Sequence, residues 1–380
     1  MTCESFFWVR RFTRQYCAFA SSPRQFGKAL SVNEHEPKKI CILRLSALGD
    51  ATHVVPVIRQ IQDQWPAAHI TWIIGKLEHR LLSGLQGIEF IEFDKRGGWA
   101  AIRELRRQLL ERRFDVLLHM QVATRANLLS KLIRAPLRIG WDTARSREMH
   151  QHFVRQQVTA VPFQHQVPGF LEFPKALGLA ATQPRWDLPV EPEARHWART
   201  QLGEVKKTLI ISPCSSHHLR NWRAENYAAV ADFAQDQLGL QVVLSGGPSQ
   251  LELDIATAIE GKMHKHCLNL VGKDTLEQLK ALLNQADLVI SPDSGPSHIA
   301  SALGTPVIGL HAATWSKRSG PFNSLDLCVD RFEQAARKYR KREASQLRWG
   351  SRIEEPGVMD LIRVEDVIER LGCWKNSAPD

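Results

Sequence analysis

Between Lys39 and Leu310 the chain runs twice through one alternation, a short β-branched apolar run followed by an amphipathic stretch of helical period. Parallel strands are buried on both faces and read as continuous apolar runs, and each needs a crossover, usually a helix, to bring the chain back. In the first half ICILRL (40–45), ITWII (70–74) and VLLHM (116–120) read as strands, with helical pattern over Val54–Trp65 and Ala101–Arg112. The second half repeats the scheme with TLIIS (208–212), LQVVLSGG (240–247), CLNLVG (267–272), DLVIS (287–291) and PVIGL (306–310). Between them, Pro184, Pro189 and Pro192 break up any regular element, which places an interdomain linker at 186–206. The expectation is two doubly wound α/β domains, 37–185 and 207–345, followed by a tail, 346–380, whose helical segment Val364–Leu371 packs back on the first domain. Open sheets of this kind bind ligands at the carboxyl ends of their strands, so the cleft between the domains is the expected site.

The sharpest local signal is LVISPDSGPSH (288–298). Leu288–Ser291 read as a buried strand, Ser294 and Gly295 permit close backbone approach, and the helix after Pro296 turns its free amides and positive dipole end into the turn. That is an anion site suited to a phosphate ester. His298 is either a core histidine or a contact to the phosphate or sugar. At the end of the first strand, Ser46–Asp50 form a small loop with Asp50 just before a helix. The residues alone leave two readings of Asp50 open and favour the first: a helix N-cap, or a general base facing the cleft. His53, one turn on, is a weaker candidate.

The strand at 208–212 opens into SPCSSHHLRNW, where the hydroxyls of Ser215 and Ser216 and the guanidinium of Arg220 suit a diphosphate or belong to an ordinary solvent loop. His217 and His218 are adjacent, point apart and lack a third metal ligand. In LSGGPSQLELD (244–254) Gly246 and Gly247 allow a ligand close to the backbone, and Glu252 either holds ribose hydroxyls or is a solvated helix residue. No GxGxxG, GxxxxGK[ST], GxSxG or Asp-x-Asp occurs. Lys, Arg and helix dipoles must therefore replace a chelated metal in neutralising a diphosphate, and neither metal nor cofactor is expected.

Fifty basic against forty acidic residues give a net charge of +10, which suits a phosphate substrate, an anionic sugar or an anionic membrane surface. The charge is dispersed and carries no nucleic-acid-binding signature. Arg331–Arg352 holds eight basic residues against two acids and reads as a solvated face. Seven scattered cysteines without a CxxC pair predict reduced thiols, hence a cytoplasmic protein without disulfides. Residues 1–36, with five basic residues and a run of aromatics, form either an interfacial helix or an extension ahead of a domain beginning near Pro37.

Taken together, RLSALGD, the SPCSS…RNW block, SGGP and SPDSGPSHIASALGTPVIGL resemble the heptosyltransferases of glycosyltransferase family 9, from about Lys38 to Leu371. The resemblance implies the GT-B fold, two Rossmann-like domains facing a cleft, with the acceptor in the first and an ADP-heptose-type donor in the second. It implies inverting transfer with Asp50 as catalytic base. Ser215, Ser216 and Arg220 match its donor-phosphate positions, Arg220 standing where many members carry Lys. Asp293, Ser294, Gly295 and His298 match the motif that holds the donor sugar and diphosphate, and Glu252 looks like the ribose acid. Arg80 and Arg125 are candidates to contact an anionic acceptor, while WDTARSRE (141–148) looks like family text without a role.

The leading expectation is thus heptose transfer to a lipid A-Kdo core by a protein held peripherally at the inner face of the cytoplasmic membrane. A nucleotide-sugar epimerase or hydrolase of the same fold, a family 9 transferase with another donor or acceptor, and a non-catalytic module with a donor pocket are the alternatives.

Overall fold

The computed structural model describes residues 36–203 and 207–377, so the extension expected at 1–36 falls, Glu36 apart, outside the described residues. Two six-stranded, wholly parallel sheets organise the rest. The first comprises β1 (Lys39–Leu43), β2 (His69–Gly75), β3 (Ile88–Phe93), β4 (Val116–His119), β5 (Leu137–Gly140) and β6 (Gln156–Gln157), in the order β3-β2-β1-β4-β5-β6. The second comprises β7 (Thr208–Ile211), β8 (Gln241–Leu244), β9 (Leu268–Asn269), β10 (Leu288–Pro292), β11 (Val307–His311) and β12 (Val329–Asp330), in the order β12-β11-β10-β7-β8-β9. Each sheet therefore reverses its strand order once, between β1 and β4 and between β7 and β10. Those switch points open a crevice at the strands' carboxyl ends.

The helices, in chain order, are α1 (Leu48–Thr52), α2 (Val55–Gln64), α3 (Lys76–Leu82), α4 (Gly98–Leu109), α5 (Thr124–Ser130), α6 (Gln166–Ala176), α7 (Pro192–Leu202), α8 (Ala224–Gln237), α9 (Gln250–Glu260), α10 (Leu276–Gln285), α11 (Gly295–Leu303), α12 (Ser316–Ser319), α13 (Phe332–Ala335) and α14 (Val364–Ser377). The central strands are mostly the apolar runs read from the sequence, because burial on both faces leaves only Ile, Cys and Leu in β1 after Lys39. Interior β5, LRIG, is the exception, and of the marginal strands β9 lies in the run CLNLVG. β3, IEFIEF, exposes Glu89 and Glu92 on opposite faces, as an edge strand open to solvent permits, and β6, β9 and β12 are two residues each.

Two expectations about the connections are revised. Within the linker, Pro192 does not break a helix but begins one: it occupies the first turn of α7, where proline's missing N–H costs nothing. The Ala198 and Leu202 side chains of α7 join an apolar cluster that runs from Ile42 and Trp72 of the first domain to Leu282 and Val289 of the second. The tail helix α14 packs not on the first domain but on α8, its Val367, Leu371 and Trp374 entering the core with Trp222, Tyr227 and Val230. Trp222 Nε1 donates to Ile362 O at 3.0 Å and fixes the approach to that helix.

Behind the cleft the domains are tied by charge as well. Lys280 on α10 is 0% exposed; its Nζ donates to Leu81 O at the end of α3 (3.2 Å) and lies 3.0 Å from Glu191 Oε2. Removing one partner from such a buried pair costs about 3–5 kcal/mol, since the other charge is left uncompensated. Arg80 on α3 makes a two-pronged ion pair with Glu277 on α10 at 3.1–3.2 Å.

Candidate active site

The two switch points meet. α1, which follows β1, packs on α11, which follows β10, so closely that a Cβ at Gly49 would lie 2.7 Å from His298 Cδ2. His298 in turn meets His53 edge-on, ring centroids 4.9 Å apart. The contact brings the acids of the two strand ends, Asp50 and Asp293, to the same region of the molecule.

Asp50 lies in the first turn of α1, and Ala47 occupies the N-cap position, so the cap reading of Asp50 does not describe the helix. Its Oδ2 accepts from Arg44 Nη2 at 2.5 Å and its Oδ1 from Gln166 Nε2 at 3.4 Å. Arg44 is held by its other prong to Met120 O (2.6 Å) and lies over the Phe170 ring. Burial by itself would raise the Asp50 pKa, but Arg44, with His53, His298 and Arg318, holds it below the ordinary value. His53 is kept neutral by its own burial, so the lasting positive potential comes from the guanidiniums. The carboxylate is 27% exposed and faces a cleft of about 530 Å³. An ionised acid with free access to a bound hydroxyl is what proton abstraction needs.

Asp293 is placed differently. Its side chain is 13% exposed, with Oδ1 3.3 Å from His298 Nε2 and Oδ2 accepting from Ser319 Oγ at 3.1 Å. Burial opposes ionisation, yet His298, His311 and Thr314 drive its pKa far below the usual carboxylate range. Beside it the Ser291 and Ser294 hydroxyls bond at 2.7 Å, and α11 begins at Gly295 under a capping box in which the Ser294 side chain accepts from the Ser297 amide and Ser294 N donates to Ser297 Oγ at 3.4 Å.

The remaining donor-side candidates follow β7 and β8, the next strands of the same sheet. Ser215 is buried and its Oγ donates to His217 O (3.0 Å), while Ser216 is exposed. Arg220 is buried and its Nε donates to Glu354 Oε1 at 2.8 Å; its two Nη groups have no hydrogen bond among the described residues and keep a fork for phosphate oxygens. Glu252 accepts from Gly247 N at 2.9 Å and Ser249 Oγ at 2.6 Å, closing the turn that begins at Gly246. Asp274, not singled out from the sequence, stands near it; burial, reinforced by the Glu252 charge, pushes its pKa up to about 7, and its Oδ2 has no partner. No group of three or more potential ligands that could hold a metal occurs among the described residues.

The acceptor candidates fare less well. Arg80 is engaged by Glu277, and Arg125 Nη1 donates to Lys95 O at 2.8 Å; neither lines the cleft that Asp50 faces. The basic side chains that do line it are Arg44, Arg145, Arg147, Arg318, Arg348 and Arg352. Two of them belong to WDTARSRE and two to the basic run at 331–352, so the segment without a role and the supposed solvated face both reach the site. Nothing in their periodicity marks them; the signal available was two unexplained basic segments in a chain that must hold an anion.

The comparisons agree with this geometry. The sequence profile described as glycosyltransferase family 9 (heptosyltransferase) matches residues 102–349. The chain is 40% identical over 335 residues to the lipopolysaccharide core heptosyltransferase OpsX of Haemophilus influenzae, covering 88% of this chain and 96% of that one. Among solved structures it superposes on the family 9 glycosyl transferase of Veillonella parvula with a TM-score of 0.74 at 22% identity, over 90% of this chain and 98% of the other. On the ADP-heptose lipopolysaccharide heptosyltransferase II of Escherichia coli the TM-score is 0.67 at 20% identity, over 90% and 100% of the two chains. With two Rossmann-like domains in the GT-B arrangement and a profile match across most of its length, the chain belongs to glycosyltransferase family 9, the heptosyltransferases.

Proposed function

We propose that the protein transfers heptose from ADP-heptose, with inversion, to a hydroxyl of an anionic sugar of the lipopolysaccharide inner core, Kdo or heptose on lipid A. The observation that carries this reading is the Asp50 carboxylate, held ionised by Arg44 and open to a cleft, on a helix that packs against α11. The similarity to OpsX and to heptosyltransferase II supports the donor and the acceptor class.

In the proposed step the acceptor oxygen attacks the anomeric carbon from the first domain's side. The bond from that carbon to the donor diphosphate breaks, and its electron pair leaves with ADP. The acceptor proton passes to Asp50. Ser215, Ser216 and Arg220, with the Gly295 amide and the positive end of the α11 dipole, receive the charge that develops on the diphosphate. Asp293 and His298 hold the sugar hydroxyls, and Glu252 holds the ribose with Gly246 making room beside it. No metal is needed, because the guanidinium fork and the helix dipole supply positive potential. A membrane-embedded acceptor and the net charge of +10 favour peripheral attachment to an anionic leaflet, and no described helix is long and apolar enough to cross a membrane.

The test is ADP release by the purified protein with ADP-heptose, with and without Kdo-lipid A, for wild type and Asp50→Asn. Acceptor-dependent release lost in the variant is expected. Equal release without acceptor would replace transfer by hydrolysis, and a fully active Asp50→Asn would remove the base.

A further inference from the structure

The cleft beside Asp50 holds more positive charge than the transfer step uses. Of its six arginines, Arg44 is neutralised by Asp50, and Arg145 is paired with Asp142. Arg147, Arg318, Arg348 and Arg352 make no ion pair among the described residues; Arg318 is partly buried and the other three are exposed. The one acid left on the wall, Glu148, already accepts from Thr124 Oγ1 at 2.5 Å.

Arg318 is the centre of the group. It is partly buried, its pKa is lowered first by that burial and then by Arg352 and Arg147, and it senses both Asp50 and Asp293 without touching either. Arg318 feels the Asp50 and Asp293 carboxylates more strongly than the Arg352 and Arg147 guanidiniums, but Asp50 is already paired with Arg44 and Asp293 is enclosed by His298 and Ser319, so water or a bound anion is left to screen the arginines. Their origin matters as well. Arg147 comes from the first domain, whereas Arg318 follows β11 and Arg348 and Arg352 flank Trp349 in the chain beyond α13. Trp349 is anchored to the first domain, its Nε1 donating to Gln164 O at 3.1 Å and its ring meeting Phe163 edge-on at 5.2 Å. The donor-binding domain thus lends its cations to the acceptor side of the cleft.

We propose that Arg147, Arg318, Arg348 and Arg352 form an anion subsite within the acceptor cleft, which reads at least two negative charges placed beside the nucleophilic hydroxyl. The subsite rests on the transferase reading above and adds what that reading lacks, a requirement on the acceptor's charge and a contribution from both domains. A lone carboxylate satisfies one guanidinium fork; four forks match a phosphate ester, or two acidic groups held close.

Kinetics with ADP-heptose and Kdo-lipid A test it in wild type, Arg352→Gln, Arg147→Gln and the double variant, with Arg352→Lys to keep the charge. Each Gln replacement is expected to raise the acceptor KM about tenfold, in line with the loss of a charge-assisted hydrogen bond, and to raise the ADP-heptose KM much less. Arg352→Lys is expected to recover part of the loss. A rise confined to the donor KM, or no change in the acceptor KM, overturns the subsite. Treating the acceptor with phosphatase identifies the anion: the subsite reads phosphate if the difference between wild type and variant disappears, and carboxylates if it persists. Calorimetric titration with inorganic phosphate, under saturating ADP to fill the donor site, decides the matter even if no transfer is seen. Binding by wild type that is weakened in Arg318→Gln supports the subsite, and absence of binding by wild type sinks it.

Discussion

Asp50 and Asp293 both follow a strand beside their sheet's switch point, Asp50 in the first turn of α1 and Asp293 directly after β10, and their surroundings make them different reagents. Asp50 has one strong partner, Arg44, and an open side toward the cleft. Asp293 is enclosed by His298, Ser319 and Thr314, which leave it a fixed charge. An acid that must accept a proton needs a free lone pair in reach of substrate, whereas one that organises a binding turn needs its lone pairs occupied. The same residue type beside a switch point takes its character from its partners.

The comparison breaks most visibly at Asp50. Asp50→Asn should lower kcat by about 10²–10⁴, the usual contribution of a general base, while ADP still binds in calorimetry. Equal losses of ADP binding and kcat would make Asp50 another fixed charge. Asp293→Asn should act on the other side: ADP affinity falls, and urea unfolding shows a loss of about 1–3 kcal/mol from buried groups left without their charged partner. Unchanged stability and affinity would place the charge of Asp293 outside the donor site.

Two pH experiments sharpen the contrast. His165 accepts from Val167 N through Nδ1 (3.1 Å) and donates through Nε2 to Gly320 O (3.0 Å), so it bridges the domains only as the neutral tautomer; burial lowers its pKa to about 4. The unfolded chain binds that proton near pH 6.5 and the folded one only near 4. Stability from His165 is therefore complete above pH 6.5 and falls across that window, by roughly 3 kcal/mol in full. A urea-midpoint profile that is flatter between those limits in His165→Gln than in wild type is expected; identical slopes would discard the bridge. Arg44→Gln should move the acid limb of the kcat profile upward, because it removes the strongest force holding Asp50 ionised. A stationary limb would assign that limb to another group.

The smallest effect is expected at Asp274, whose raised pKa means the folded state favours its protonated form but whose partial exposure lets solvent screen most of the difference. Its unfavourable contribution develops as pH rises from about 4 toward 7, so Asp274→Asn should slightly raise the urea midpoint at pH 8 and leave it unchanged at pH 4.

Legibility followed burial. β1, β2, β4, β7, β8, β10 and β11 were readable because strands covered on both faces admit little but apolar residues, and marginal β9 was readable from CLNLVG, whereas β3 was lost because Glu89 and Glu92, exposed on opposite faces, interrupt the run, and β5, LRIG, because Arg138 breaks it. The turn at 291–298 was readable because its small residues, proline and helix start are contiguous. The arginines of the acceptor cleft were not, because they arrive from three separated segments and no local period connects Arg147, Arg318 and Arg352. Arg80 looked available for the same reason: its partner Glu277 is nearly two hundred residues away in the chain.

The apolar cluster shared by both domains also bears on how the chain is made. A ribosome releases the first domain before α10, β10 and α11 exist, yet Ile42 and Trp72 belong to the same cluster as Leu282 and Val289. During synthesis that side of the nascent protein faces water, a target for chaperones and for misassociation with other unfinished chains. Once the chain is complete, the shared cluster couples the two halves, because separating them would return apolar surface of both to water.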